Sequence, residues 1–171
     1  TTVARPDISL VLNVGSAHIG EFGSVDAIAR AKGELVEALA PQGRAILNAE
    51  DRLVAAMAAR SPSPVITWGF TDGDVRGAEL TLDDRARVRF ELVVPEGLTT
   101  LRGEPVPSGR FDVHPDLLGE HQAANVLAAL TAALVAGVAP ADAAAALDGA
   151  TLASGQRMQV HEAARALVID D

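Results

Sequence analysis

Three short apolar runs, separated by two segments of helical periodicity, constrain the fold of the first 70 residues more than any other feature. The runs cover residues 8–14, 44–50 and 64–69, and the helical segments cover 24–40 and 51–60. A continuous apolar run is typical of a strand buried on both faces of a parallel sheet. The order strand, helix, strand, helix, strand therefore predicts an α/β fold, with a mostly parallel sheet flanked by helices.

The second half of the chain has a different pattern. Residues 73–112 form alternating, turn-punctuated segments without helical periodicity, which predicts a small antiparallel sheet as an insert or flank. Helical spacing returns at 118–137, a shorter helix follows at 140–147, and the last residues predict two strands around a brief turn. We interpret residues 1–171 as a single partial domain with an antiparallel insert at about 73–112.

Composition argues against several classes of function. The net charge of −9 disfavours a surface for nucleic acid or for an anionic membrane, because both bind clustered Lys and Arg. The absence of cysteine excludes a disulfide framework and favours the cytoplasm. The most apolar stretch, 123–139, is Ala-rich and contains Asn125 and Thr131. It is shorter than the ~20 strongly apolar residues of a membrane helix, so we interpret it as a core helix.

Lys32 occupies an unusual position in the predicted helix at 24–40. On a helical wheel it falls in the middle of the apolar side, among residues such as Ile28, Leu35 and Val36. In one interpretation its aliphatic stem packs on the core while the ammonium reaches solvent or a carboxylate. In the other, the side chain points into a cleft where desolvation favours the neutral amine, which can be chemically modified.

His18 lies in a glycine-rich turn just beyond the first predicted strand, where open α/β sheets bind ligands. A histidine in a turn is commonly a capping or hydrogen-bonding residue, and the glycines around it match no phosphate-loop pattern. Because Lys32 lies one short helix away, the two side chains are candidates to converge on one metal ion. Asn13, before the turn, either hydrogen-bonds substrate or fixes the turn.

The string NVGSAHIGEFGSVDAIARAKGEL, residues 13–35, resembles the central, ATP-binding domain of the Mur ligases. Its AHxxxFGS form is similar to the branch of that family that adds D-alanyl-D-alanine. The resemblance implies that Lys32 is carbamylated, so that a cation becomes a carboxylate. It also implies that His18 and the modified Lys32 bind a magnesium ion.

Two later strings extend the resemblance. GEHQAANVLAALTAA is similar to the family's adenine-contacting helix start and places His121 and Asn125 at the nucleotide. Gln122 stands where the family usually has Asn, which affects that contact alone. SGQRMQVHEAARALVIDD resembles the segment that supplies a phosphate-contacting arginine, here Arg157. The same segment implies an acidic residue at the ribose, here Asp171.

The resemblance implies an ATP-dependent ligase of peptidoglycan precursor synthesis, cytoplasmic and monomeric, without a membrane span. Lys32, His18 and Arg157 would be catalytic, ATP and Mg²⁺ would be required, and a UDP-linked muramoyl peptide would be joined to D-alanyl-D-alanine through an acyl phosphate. The family's phosphate loop and a magnesium-binding glutamate would lie upstream, so we expect these residues alone not to catalyse ligation. The alternatives are another Mur-type ligase, a ligase like folylpolyglutamate or cyanophycin synthetase, and a non-catalytic nucleotide-binding module.

Overall fold

Strands and helices alternate in the first half of the computed structural model, which describes residues 6–15, 24–150, 159–163 and 166–170. The strands are β1 (Ile8–Val11), β2 (Arg44–Asn48), β3 (Val65–Gly69), β4 (Val75–Leu82), β5 (Val88–Val94), β6 (Gly109–Val113), β7 (Gln159–Ala163) and β8 (Ala166–Asp170). The α-helices are α1 (Val25–Glu37), α2 (Arg52–Ala55), α3 (His121–Ala136) and α4 (Pro140–Ala145), and a 3-10 helix at Ala56–Arg60 continues α2.

A six-stranded sheet in the order β1-β2-β3-β4-β5-β6 carries both the parallel and the antiparallel strands. β1, β2 and β3 pair in parallel, and β4 joins β3 in parallel over two residue pairs only. β4, β5 and β6 are antiparallel. The antiparallel strands therefore extend the main sheet, while β7 and β8 form a separate two-stranded sheet. The predicted fold class, mostly parallel sheet, helices and small antiparallel part, is confirmed.

One side of the main sheet, which we call the α1 face, packs against α1, α2 and the 3-10 helix. Ala45 and Leu47 of β2 point to this side, while Ile46 points to the other, because successive strand side chains alternate between faces. The buried apolar residues of the α1 face are Val11, Val36, Leu39, Ala45, Leu47, Val54 and Met57.

The opposite side, which we call the α3 face, has the larger core. It spans β2 to β6 beneath α3 and includes the fully buried side chains of Trp68, Leu127 and Leu134. α3 has no charged residue after His121, as expected of a helix with most of its surface covered. It ends at Gly137, whose φ of 104° is left-handed and favours glycine. Within the described residues, no helix has the length and hydrophobicity needed to cross a lipid bilayer.

The prediction for the buried side of α1 is wrong at Leu35, which is 43% exposed, whereas Gly33 is buried. The reason is Arg60, whose guanidinium lies over Gly33 and donates to the carbonyls of Ala29 (3.5 Å) and Arg30 (3.1 Å). A Cβ on residue 33 would lie 1.9 Å from Nη1 of Arg60. Gly33 thus allows the 3-10 helix to approach α1. The buried side of α1 therefore includes Gly33 and leaves out Leu35.

Candidate functional site

The chain segments that follow β1, β2 and β3 lie at one edge of the main sheet. These strands are parallel, so their carboxyl ends share that edge, which is where open α/β sheets bind ligands. Hydrogen bonds from side chains to backbone groups join the segments to one another. The edge is therefore a preformed scaffold rather than three independent loops.

Lys32 reaches this edge from α1. The helix begins after Ser24, whose Oγ accepts a hydrogen bond from the backbone N–H of Ala27 (3.1 Å) and caps the helix. Lys32 is half-buried two turns later, and its Nζ donates to the carbonyl oxygen of Asn13 at 2.7 Å. The amine is thus directed at the chain that leaves β1, which is the segment that continues to His18.

Lys32 is also the only lysine among the 171 residues, since every other Lys-or-Arg position holds arginine. An amine and a guanidinium differ in chemistry, because arginine stays protonated in proteins whereas a lysine amine can lose its proton and be modified. Lys32, at the carboxyl edge of β1, is therefore a basic residue whose side-chain nitrogen can become a nucleophile, unlike the arginines.

Asn48 and Asp51 hold the same segment from β2. The Nδ2 of Asn48 donates to the carbonyl of Leu12 at 2.9 Å. The Oδ2 of Asp51 accepts from the N–H of Val14 at 2.6 Å, while its Oδ1 caps α2. The sequence predicts Asp51 at the start of a helix but does not reveal this second contact. The signal in the sequence is an Asn at the end of a buried strand and an Asp three residues later.

Glu50 ties the end of β2 to the segment after β3. Its Oε1 accepts from the N–H of Phe70 (2.9 Å), the N–H of Thr71 (2.7 Å) and the hydroxyl of Thr71 (2.7 Å). Partial burial acts to raise the pKa of Glu50, but the Thr71 hydroxyl and the surrounding backbone amides together outweigh it and lower the pKa. Glu50 is therefore an ionised anchor at this edge.

His121 and Asn125 lie in the first turns of α3. The N–H of Gly119, just before the helix, donates to the carbonyl of Ala86 (3.0 Å) in the turn between β4 and β5. β4 runs parallel to β3 and begins beside its last residues, so that turn lies on the carboxyl side of β1–β3, beyond the end of β3. Both side chains are exposed, and the amide of Asn125 donates to Oε1 of Gln122 at 3.1 Å. The atypical Gln122 thus contacts the predicted nucleotide residue.

Three predicted site residues, His18, Arg157 and Asp171, lie outside the described residues, so their roles stay predictions. Of the others, Lys32 and Asn13 are brought into contact, whereas no hydrogen bond links Lys32 to His121 or Asn125 in the described ranges. Within those ranges there is also no group of three or more His, Cys, Asp or Glu side chains placed to hold a metal.

A groove of about 400 Å³ lies elsewhere, on the polar side of β5 and β6. Its walls include Arg89, Glu91, Arg110 and Asp112, and Arg110 pairs with Glu91. None of the predicted site residues lines this groove. Both of its arginines are already paired, Arg110 with Glu91 and Arg89 with Asp83, so the groove gives no indication of a ligand.

Comparisons with known proteins identify the family. A family model described as the Mur ligase middle domain matches residues 1–133. The chain belongs to the Mur ligase family. Two curated Mur ligases named UDP-N-acetylmuramoyl-tripeptide–D-alanyl-D-alanine ligase are similar to it. The Mycobacterium tuberculosis protein is 39% identical over 159 residues, covering 92% of this chain and 29% of the relative. The Mycobacterium leprae protein is 38% identical over 179 residues, covering 99% and 33%.

A solved Mur ligase structure gives the same result. MurF from Acinetobacter baumannii superposes with a TM-score of 0.82 and 32% sequence identity, over 98% of this chain and 34% of that chain. The chain thus spans about a third of the length of the Mur ligases that it matches. The resemblance carried by residues 13–35 is confirmed at the level of family and fold.

Proposed function

We propose that the protein is an ATP-dependent ligase that joins D-alanyl-D-alanine to UDP-N-acetylmuramoyl-tripeptide. Membership of the Mur ligase family and 39% identity to a relative named for this reaction support the proposal. The observation that carries it is the position of Lys32, whose Nζ lies 2.7 Å from the Asn13 oxygen at the carboxyl edge of β1. A modifiable amine at the ligand-binding edge of an α/β sheet suits a phosphate-handling site.

Lys32 would act as a carbamate. Its neutral amine adds to carbon dioxide, an N–C bond forms, and the nitrogen loses one proton, which leaves a carboxylate on a long arm. The product keeps one N–H, so the hydrogen bond to Asn13 can persist while the new oxygens face the site. An ammonium only donates hydrogen bonds, whereas carboxylate oxygens suit Mg²⁺. Lys32 and His18 would hold the ion, which when bound neutralises charge on the phosphoryl oxygens.

The reaction requires an unreactive carboxylate to be activated. An oxygen of the tripeptide carboxylate attacks the γ-phosphorus of ATP, ADP leaves, and an acyl phosphate forms. The amine of D-alanyl-D-alanine then attacks the acyl carbon, inorganic phosphate leaves, and the amine proton passes to solvent. Arg157 would donate two hydrogen bonds to the transferring phosphoryl group, which favours arginine over lysine there.

The remaining residues would bind rather than react. His121 and Asn125, exposed at the start of α3, would contact the adenine, and Asp171 would contact the ribose. Asn13 offers its exposed side-chain amide to substrate, because its contact with Lys32 uses the backbone oxygen. We further propose that residues 1–171 are part of one central domain with an antiparallel insert at about 73–112. The protein would act as a cytoplasmic monomer, and these residues alone would be inactive.

A ligation assay tests the proposal. The full-length protein is incubated with ATP, Mg²⁺, UDP-N-acetylmuramoyl-tripeptide and D-alanyl-D-alanine, and phosphate release and product mass are measured. We expect the amide product, with phosphate released only when both substrates are present. A parallel reaction with UDP-N-acetylmuramate and L-alanine examines the alternative of another Mur-type ligase. Product in that reaction alone, or nucleotide binding without any phosphate release, would refute the proposed activity.

A further inference from the structure

The peptide group between Asn13 and Val14 is held at both of its polar atoms. Its carbonyl oxygen accepts from Nζ of Lys32 at 2.7 Å, and its N–H donates to Oδ2 of Asp51 at 2.6 Å. A peptide group is planar, with its C=O and N–H pointing to opposite sides. Contacts at both atoms therefore fix the orientation of the whole plane.

Asp51 uses both carboxylate oxygens. Oδ1 accepts from the backbone N–H groups of Leu53 (2.9 Å) and Val54 (3.2 Å), which caps α2. A cap needs one oxygen only, and Ser, Thr or Asn would supply it equally well. The second oxygen is committed to Val14, 37 residues away in sequence. The requirement for a carboxylate at this position thus comes from the Val14 contact rather than from the helix.

Asn48 holds the chain at Leu12, the residue before Asn13. Its Nδ2 donates to the carbonyl of Leu12 at 2.9 Å, and its Oδ1 accepts from the N–H of Glu50 at 2.8 Å. Three consecutive residues after β1 are therefore fixed through their backbone by side chains from α1, from β2 and from the cap of α2. The next residues along the chain lead to His18.

We propose that Asp51 is a positioning residue that, opposite Lys32, fixes the segment 12–14 after β1 and with it the acceptor of the Lys32 amine. This inference rests on the proposed function, because it gives the orientation of that segment a catalytic consequence. Asp51 touches neither substrate nor metal in this account. It acts through the Asn13–Val14 peptide group, which Lys32 also contacts. A carbamate on Lys32 keeps one N–H, so Lys32 can still donate to the carbonyl of Asn13.

The substitution Asp51→Ser separates the two roles of Asp51. A serine hydroxyl caps α2 but is too short to reach Val14 as well, whereas Asp51→Ala removes both contacts. Asp51→Asn is a second test, since one side-chain oxygen cannot satisfy both the cap and Val14. The matched control is Asp74→Ser, because Oδ2 of Asp74 also accepts a backbone N–H, that of Thr67, at 2.8 Å.

Hydrogen exchange and steady-state kinetics on the full-length protein provide the readouts. In Asp51→Ser we expect the Val14 amide to exchange about 10- to 100-fold faster, as for loss of a hydrogen bond to a charged group. We expect kcat to fall about 10- to 100-fold, the usual effect of losing an outer-shell partner, while KM for ATP changes less than about threefold. Asp74→Ser should accelerate exchange at Thr67 and leave kcat unchanged.

Wild-type exchange at Val14 in Asp51→Ser, or faster exchange with an unchanged kcat, would overturn the inference. So would an equal loss of kcat in Asp74→Ser, because a general loosening of the domain would then explain the result. If the wild-type protein catalyses no ligation, the proposed function fails, while the exchange data still decide whether Asp51 holds the peptide.

Discussion

The two faces of the main sheet are held together in different ways. The α3 face is a continuous apolar core that spans β2 to β6 and contains Trp68, Leu127 and Leu134. The α1 face has a smaller core, and side-chain-to-backbone hydrogen bonds from Lys32 and Arg60 supplement it. Most of the buried apolar side chains therefore lie on one face. The other face accommodates polar groups whose positions are set individually, as the proposed binding of charged substrates requires.

The comparison also explains how a lysine is tolerated on the inner side of α1. Lys32 is half-buried one turn before Val36 of the small core, and its amine meets the carbonyl of Asn13. A position under α3 would have surrounded the same amine with apolar side chains and left it without a partner. The proposed carbamate on Lys32 therefore requires that Lys32 lie on the α1 face and not within the apolar core of the α3 face.

Truncating one leucine on each face tests the difference between the two cores, and it has the largest expected effect on stability. Leu127→Ala removes a fully buried side chain from the α3 face and should lower the free energy of unfolding by about 3–5 kcal/mol. Leu39→Ala, at the margin of the smaller core, should cost about 2 kcal/mol. Urea unfolding of the 171-residue chain, followed through the fluorescence of its only tryptophan, Trp68, measures both. A larger loss for Leu39→Ala would reverse the comparison.

A double-mutant cycle at Gly33 and Arg60 measures a polar contact of the α1 face. Arg60→Ala should cost about 1 kcal/mol, because hydrogen bonds to two helix carbonyls and the exposed ion pair of Arg60 Nε with Glu37 (2.8 Å) are lost. Gly33→Ala should stabilise the helix by about 1 kcal/mol in the Arg60→Ala background. With Arg60 present, the new methyl group displaces the guanidinium, so the gain should disappear. Equal effects of Gly33→Ala in both backgrounds would show that the guanidinium of Arg60 does not lie over Gly33.

Acid should weaken the turn between β4 and β5, next to the start of α3. Desolvation of Asp83 opposes ionisation, but hydrogen bonds from Arg87 and from the backbone of Arg85 prevail and lower its pKa from 3.8 to about 2. The folded pKa lies below the unfolded one, so the contribution is present above about pH 4 and is lost as pH falls toward 2. Urea midpoints should therefore drop more for wild type than for Asp83→Asn between pH 6 and pH 2. If the urea midpoints of wild type and Asp83→Asn fell equally with pH, the lowered pKa of Asp83 would not explain the loss of stability in acid.

The smallest effect is expected for an ion pair at the surface. Arg110 and Glu91 pair across β6 and β5, with side chains 55% and 30% exposed. Such pairs contribute little because water and salt screen them, so Arg110→Ala should change the free energy of unfolding by no more than about 0.5 kcal/mol. The same urea measurement applies. A loss of about 1 kcal/mol or more would mean that an exposed ion pair contributes as much to stability as a hydrogen bond to the backbone.

The sequence predicted the elements of this fold well, because apolar runs and helical periodicity are local properties. It could not predict which way α1 turns, since that depends on the contact of Gly33 with Arg60, 27 residues later. Nor could it predict that the antiparallel strands extend the main sheet, because β4 joins β3 through only two residue pairs. Long-range contacts of this kind leave no periodic trace in the chain.

The candidate site was predicted in part. Lys32 stood out by its position among apolar residues, but its partner is a backbone oxygen, which no side-chain pattern reveals. Asp51 was recognised as a helix start, whereas its second oxygen serves a strand end far away in sequence. The modification of Lys32 and the roles of His18, Arg157 and Asp171 were proposed from the family resemblance rather than from the pattern of residues.

The most direct test of the central claim is the chemical state of Lys32 in the full-length protein. The protein is prepared with bicarbonate, Mg²⁺ and nucleotide, and its mass and the electron density at Lys32 are recorded under conditions that preserve carbamates. We expect an additional carboxylate of about 44 Da on Nζ, which Lys32→Arg abolishes because arginine forms no such adduct. An unmodified Lys32 in protein that actively ligates its substrates would contradict the proposed role of Lys32.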